Sequence, residues 1–280
     1  MNPIGIMQGR LSPPIGGRIQ SFPVDTWRDE FSLAREAGLD CIEWIYEVDT
    51  EAVNPLRTDE GVAEIRRLAE ESGVVIWSVT ADYYMTERLI RLDGTLQVIA
   101  VEHLKWLLKR ARLIRARYVM VPFVDAARLR SEQEIKGLQT LLQTMVPVLD
   151  EMGVQLHMET DLPPDRWAAL LESISHPLIR VCYDIGDRAS LGYNPTEEFR
   201  FLGSCLGSVH IKDRIVGGGT VPLGTGAADF PTCFQLICAA GFRGPFILQA
   251  AREEGLSEIA LARRNRRFVE EQLAAVASGS

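Results

Sequence analysis

Val154-Gln155-Leu156-His157-Met158-Glu159 alternates apolar with polar residues at every step. Side chains alternate faces along a β-strand, so Val154, Leu156 and Met158 are expected on one face and Gln155, His157 and Glu159 on the other. Helical patterns flank this strand at 131–151 and 165–174. Strands separated by crossover helices imply a parallel sheet with helices packed on its apolar face. The alternation continues in both directions. Downstream, strands are predicted at 179–184, 208–212 and 246–249, with helices at 195–202, 229–240 and 257–275. Upstream, strands at 4–8, 40–45, 74–80 and 118–122 alternate with helices at 26–37, 59–72 and 95–114. In the last of these, Ala100, Leu104, Leu107, Leu108 and Ala111 share one face. Ser278-Gly279-Ser280 reads as a frayed tail.

Strand–helix pairs of this number, in about 250 residues, fit a closed α/β barrel, so 1–280 is read as a single (β/α)8 TIM barrel domain. An open doubly wound sheet normally carries a glycine-rich phosphate turn after its first strand. Here that position holds Gln8-Gly9-Arg10-Leu11, with no GxGxxG.

Composition narrows the function. The 280 residues are 46% hydrophobic and carry a formal charge of −8. That supports a sizeable core and argues against nucleic-acid binding through phosphate contacts. The opening MNPIGIMQGR has no charged start followed by an apolar run, so no signal peptide is expected. No stretch reaches the roughly 18 apolar residues of a membrane span. Cys41, Cys182, Cys205, Cys233 and Cys238 match no CxxC pattern and read as buried free thiols, which suits a cytoplasmic protein.

The later strands carry the chemistry. Arg180, Cys182 and Asp184 alternate with Ile179, Val181 and Tyr183; Ser208, His210 and Lys212 alternate with Val209 and Ile211; Ile247 and Gln249 alternate with Phe246 and Leu248. Four successive strands therefore end on an inward polar residue: Glu159, Asp184, His210 and Gln249. Barrel interiors are normally filled by bulky apolar side chains, and a buried carboxylate is costly unless compensated. One reading pairs the carboxylates with Arg180 or Arg188 and treats His210 as a packed histidine. The other gathers all four residues around one divalent cation. Two carboxylates, an imidazole and an amide oxygen suit Mn2+, Mg2+ or Co2+, and also accommodate Zn2+.

These motifs resemble the xylose isomerase-like TIM barrel superfamily, in its sugar (phosphate) isomerase/epimerase branch. The resemblance rests on HMET at 157–160, CYDIGD at 182–187, SVHIKD at 208–213, PLGTGAADF at 222–230 and the opening IGIMQGRL. It covers nearly the whole chain. The branch includes tagatose/psicose 3-epimerases and hydroxypyruvate isomerase, with endonuclease IV a distant relative. The resemblance implies that Glu159, Asp184 and His210 are metal ligands. It also implies a fourth ligand, glutamate in the epimerases, where this chain has Gln249. A glutamine still ligates through its oxygen but accepts no catalytic proton, so the two-glutamate epimerase mechanism is not expected. Endonuclease IV relatives place a histidine where this chain has Asp187, so a trinuclear zinc site is not expected.

The resulting expectation is a metal-dependent isomerase acting on a small sugar or sugar phosphate through an enediolate, with Glu159 as base. A 1,2-isomerisation needs only one carboxylate. His157 is read either as a proton shuttle or as a group that orients Glu159, and Lys212 as a substrate-binding cation or a partner of Asp213 or Asp187. Glu43, Asp187 and Asp213 are candidate substrate contacts, although Glu43 also reads as an ion-pair partner of Arg10. Trp44, Trp77, Tyr83 and Tyr84 are candidate pocket walls. Glu253 and Glu254 either replace the missing carboxylate or stay at the surface. The glycine-rich run 214–228 is read as a lid, an anion cradle or a flexible connection. A homodimer or homotetramer is expected. The rival readings are a metal-dependent lyase or dehydratase, and a weakened barrel that only binds a sugar-like ligand.

Overall fold

The computed structural model describes residues 2–279. Eight parallel strands close into a barrel. We number them β1 (Ile4–Met7), β2 (Cys41–Ile45), β3 (Val75–Thr80), β4 (Tyr118–Phe123), β5 (Gln155–Thr160), β6 (Ile179–Asp184), β7 (Leu206–Ile211) and β8 (Phe246–Leu248). Each strand pairs with its sequence neighbours, and β8 closes the ring against β1. The outer helices are α1 (Asp29–Ala37), α2 (Asp59–Ser72), α3 (Val98–Leu113), α4 (Glu132–Met152), α5 (Pro164–Ile174), α6 (Pro195–Leu202), α7 (Phe230–Ala239) and α8 (Glu258–Ser278). The architecture is the (β/α)8 barrel expected from the alternation.

Local chemistry sets the helix ends. Thr58, Ser131, Asn194, Asp229 and Ser257 cap α2, α4, α6, α7 and α8 by accepting from first-turn N–H groups. Gly38, Gly73 and Gly153 end α1, α2 and α4 in the left-handed conformation. The differences from expectation are local. Helix α1 starts at Asp29, because Thr26 is held in a turn by Ser12 Oγ at 2.8 Å. Helix α3 starts at Val98, because the preceding residues fold back through the Ile90–Leu96 bridge. Helix α8 runs on to Ser278, so no tail begins there; Ser280 lies outside the described residues. Two short helices, Tyr83–Thr86 and Ile185–Ser190, carry too few residues for a periodic signal.

Val154, Leu156 and Met158 pack with the main core, which also takes Trp167, Phe234 and Phe246. Burial of each such side chain contributes about 1.5–3 kcal/mol. Tyr118, Met120 and Cys182 form a second, small buried cluster with Trp77 packed against it. The polar side chains Glu43, Ser78, His157, Ser208 and His210 are fully buried as well.

The loop after β1 is fastened by Glu30 of α1. Its carboxyl accepts from Gly9 N at 2.9 Å, Leu11 N at 3.2 Å and Ser12 Oγ at 2.9 Å. Burial raises Glu30 from 4.5 to about 7, against the lowering effect of these bonds. Stability is therefore expected to fall as pH rises from the ordinary glutamate value through about 7. Glu30→Gln should flatten that slope. Glu30→Ala should lose about 2–4 kcal/mol in urea denaturation, because it strands two buried N–H groups.

Candidate active site

The four inward strand ends meet at the C-terminal mouth of the barrel. Glu159 is the penultimate residue of β5, Asp184 closes β6, His210 lies on β7, and Gln249 follows β8 with its N–H still bonded to Ile211 O at 3.0 Å. Ligand atoms of Glu159, Cys182 and His210 lie within 4.8 Å of one another, as do those of Glu159, Asp184 and Asp187. His210 Nδ1 is 3.7 Å from Asp184 Oδ2. Three of the four residues also have one buried atom without a hydrogen-bond partner, Glu159 Oε1, His210 Nδ1 and Gln249 Oε1, while Asp184 Oδ2 faces the Lys212 ammonium at 3.0 Å. Leaving a buried polar group unsatisfied costs about 1–3 kcal/mol. These three atoms and the Asp184 carboxylate, all lone-pair donors in a neutral-imidazole state and gathered at one mouth, fit a divalent cation.

Buried groups aim the cluster. His210 Nε2 is 2.8 Å from Glu43 Oε1, which leaves Nδ1 toward the centre. Glu43 also accepts from Ser78 Oγ at 2.5 Å and Tyr118 Oη at 3.0 Å. Burial alone would raise Glu43, but the His210 charge and these bonds hold it below the usual glutamate range. Among protein groups alone, burial lowers His210, while Cys182, Glu43 and Asp184 outweigh it and raise the imidazole well above its ordinary value. Glu43 thus orients His210 from below and does not reach the mouth, and it makes no pair with Arg10. Glu43→Gln is expected to weaken Mn2+ binding about 10–100-fold in calorimetric titration.

Asp184 caps the short helix Ile185–Ser190, its Oδ1 accepting from Asp187 N at 2.8 Å. That fixes Oδ2 toward Lys212, whose Nζ lies 3.0 Å away. Lys212 also reaches Asp187 Oδ2 at 3.1 Å, and Arg214 reaches Asp187 Oδ1 at 2.8 Å. Gly186 permits this approach: a Cβ there would lie 2.8 Å from the Lys212 backbone. Burial raises Glu159, as do the Asp187 and Asp184 charges, to well above the usual range. Asp187 goes the other way: Lys212, Arg214 and a hydrogen bond from Glu159 outweigh burial.

A cavity of about 300 Å³ opens above the cluster, lined by Glu159, Asp187, Lys212 and Gln249 together with Arg10, Gln20, Asp82, Asp125, Arg214 and Thr220. A larger cleft, about 420 Å³, opens at the opposite end of the barrel beside Trp77 and Arg117, but none of the inward carboxylates reaches it. At the mouth, Gln249 Nε2 donates to Gln20 Oε1 at 2.8 Å, and Gln20 Nε2 donates to Asp82 Oδ2 at 2.7 Å.

Several sequence expectations fall outside this cavity. His157 lies deep in the barrel, stacked on Tyr118 at 3.9 Å and bonded to Ser208 at 2.9 Å and Gln155 at 2.7 Å. It touches neither Glu159 nor the mouth, and burial lowers its pKa well below the ordinary value. Asp213 is fully buried. It anchors the glycine-rich segment by accepting from Gly224, Gly226 and Ala228 N–H groups at 2.9, 2.8 and 3.1 Å. The first part of that segment forms a hairpin, Asp213–Arg214 against Thr220–Val221. Trp44 is buried, Trp77 sits under Arg117, and Tyr83 and Tyr84 pack around His103, so none forms the cavity wall. Glu253 pairs with Arg264 and Glu254 is exposed. Arg188 is taken by Glu198 at 2.5 Å, and Arg180 bonds Pro177 O and Ser204 O at 3.0 Å. Neither arginine neutralises the cluster. All five cysteines are free, with Cys205 and Cys238 only half-buried.

Sequence reasoning missed Arg10, Gln20, Asp82 and Arg214. Three of them lie in loops, where no periodicity announces a facing. Only Asp82, two residues beyond β3, carried a signal: a carboxylate just past a strand end.

An eight-stranded α/β barrel with carboxylates, imidazole and amide gathered where its last strands end is a TIM-barrel protein with its polar site on the C-terminal face. The chain belongs to the xylose isomerase-like TIM barrel family, whose sequence model matches residues 31–272. It is similar to L-ribulose-5-phosphate 3-epimerase UlaE of Salmonella heidelberg, with 23% identity over 89% of this chain and 92% of that protein. It is also similar to 3-oxo-isoapionate decarboxylase of Pectobacterium atrosepticum, with 25% identity over 71% of this chain and 80% of that protein. A xylose isomerase-like TIM barrel protein from Mycobacterium smegmatis, solved in complex with magnesium, shares the fold with a TM-score of 0.70 at 18% identity, covering 98% of this chain and 97% of that one. No described helix is long and apolar enough to cross a membrane.

Proposed function

We propose that the chain is a divalent-metal-dependent isomerase for a small sugar, sugar phosphate or related hydroxy-carbonyl compound, working through an enediolate. The unpartnered atoms of Glu159, His210 and Gln249, with the Asp184 carboxylate beside them, carry this reading. The named epimerase and the magnesium-bound barrel support it. These residues would hold the ion, and Mn2+, Mg2+ and Co2+ match the mostly oxygen donor set better than Zn2+. When bound, it would polarise the substrate carbonyl as a Lewis acid. The protein supplies the rest. Glu159 removes the proton beside the carbonyl. Lys212 and Arg214 hold Asp187 at the wall and keep the acidic mouth near charge balance. Arg10, whose guanidinium donates to Ala250 O and to Gln20 Oε1 at 3.3 Å, fixes the β1 loop over the cavity.

A lyase on the same scaffold is the second reading, and the similarity to a named decarboxylase favours it. Product mass separates the two: an isomerase conserves it, and a lyase does not. The direct test is elemental analysis of freshly purified protein, followed by assays with L-ribulose, D-fructose and L-ribulose 5-phosphate. One metal equivalent and a product of unchanged mass are expected. A metal-free protein that binds a sugar without turning it over would leave only a binding barrel. We further propose that the protein is cytoplasmic and assembles as a homodimer or homotetramer.

A further inference from the structure

Four carboxyl groups line the cavity, those of Asp82, Asp125, Glu159 and Asp187, with Asp184 close to Glu159 and Asp187. Asp187 is bound by Lys212 and Arg214, and Asp184 by Lys212. Asp125 is exposed at the rim. Among the described residues that leaves Glu159 and Asp82 as the enclosed carboxyl groups lining the cavity without an ion-pair partner. Asp82 enters from the end of β3 and Glu159 from the end of β5. Asp82 also stands one amide group from Gln249, through the Gln20 side chain that bonds both. Gln249 itself cannot carry a proton.

We propose that Asp82 is the second proton-carrying catalytic residue of this site, returning to the substrate the proton equivalent that Glu159 removes. The inference rests on the isomerase reading above. Glu159 takes the proton from the C–H beside the carbonyl, and the C–H electron pair becomes the C=C bond of the enediolate. Asp82, protonated, gives its proton to the carbon from its own side of the cavity. The new C–H bond forms from the enediolate electrons and the carbonyl returns. Glu159 ends protonated and Asp82 ionised, and exchange with water resets both. Delivery to the original carbon from the other face inverts it, so the pair supplies an epimerisation that Gln249 alone would forbid.

The surroundings suit a proton donor. Burial raises Asp82 from 3.8 to about 6; the Gln20 bond and Lys212 lower it, while Glu47 and Glu43 raise it. Arg10 feels the Asp82 charge from the adjoining loop.

The test uses full-length protein in two states. Without added metal, carboxyl-directed 13C NMR, assigned with Asp82→Asn, should show Asp82 titrating near 6; an ordinary value near 4 overturns the proposal. With Mn2+ in D2O, wild type, Asp82→Asn and Glu159→Gln are compared on L-ribulose, D-fructose and L-ribulose 5-phosphate. Asp82→Asn should lose conversion about 100-fold or more while Glu159 still exchanges substrate hydrogen for deuterium. Asp82→Glu, or Gln249→Glu added to Asp82→Asn, should recover conversion at least about tenfold. If wild type converts substrate, Glu159→Gln does not, and Asp82→Asn matches wild type, this inference falls and the isomerase reading stands. If wild type neither converts nor exchanges any of the three, the isomerase reading itself falls and this inference with it.

Discussion

Glu159→Gln is expected to lower turnover by about 10²–10⁴-fold while the barrel stays folded. The amide keeps the size of the side chain and an oxygen for a cation, but it cannot take a proton. Stability should hold or rise. Glu159 is buried beside Asp187 and Asp184, and both charges raise its carboxyl, so an uncharged isostere avoids the cost of ionising there. The check pairs initial rates on the sugar panel with thermal unfolding. Unchanged turnover would remove Glu159 as the base. Lost turnover with lost folding would show a structural role instead.

Lys212→Met should give the largest stability effect, about 3–5 kcal/mol in metal-free protein, because it removes the cation from a buried ion-pair cluster. Its ammonium lies 3.0 Å from Asp184 and 3.1 Å from Asp187. Burial would lower its pKa, but Asp184, Asp187 and Glu159 together raise it beyond the usual lysine range. The methionine fills the space and leaves the carboxylates facing one another. A divalent cation should restore much of the loss, since binding only the native state at about 100 times Kd adds about 2.7 kcal/mol. Urea titrations with and without Mn2+ measure both effects. A variant as stable as wild type without metal would mean that the cluster is not charged as described.

What the sequence made legible follows from periodicity. The alternation around Leu156, Val181 and Val209 revealed the sheet, its helical cover and the inward facing of Glu159, Asp184 and His210, because a strand fixes facing by parity. Depth is not fixed by parity. His157 and Glu159 share a face, yet His157 sits below the cluster on Tyr118. Glu43 likewise faces inward but stops under His210. Loops carry no parity, so the link from Gln249 through Gln20 to Asp82 required the closed ring that brings β8, β1 and β3 to one mouth. Asp213 shows the same limit: a carboxylate just after a strand looked like a substrate contact and instead ties down three backbone N–H groups of its own hairpin.

Anomalous diffraction from crystals soaked in Mn2+ tests the central claim most directly. One peak is expected at the C-terminal mouth, about 2.0–2.6 Å from Glu159 Oε1, Asp184 Oδ2, His210 Nδ1 and Gln249 Oε1. Saturating Mn2+ with no peak there, and Lys212 still bridging Asp184 and Asp187, would contradict it.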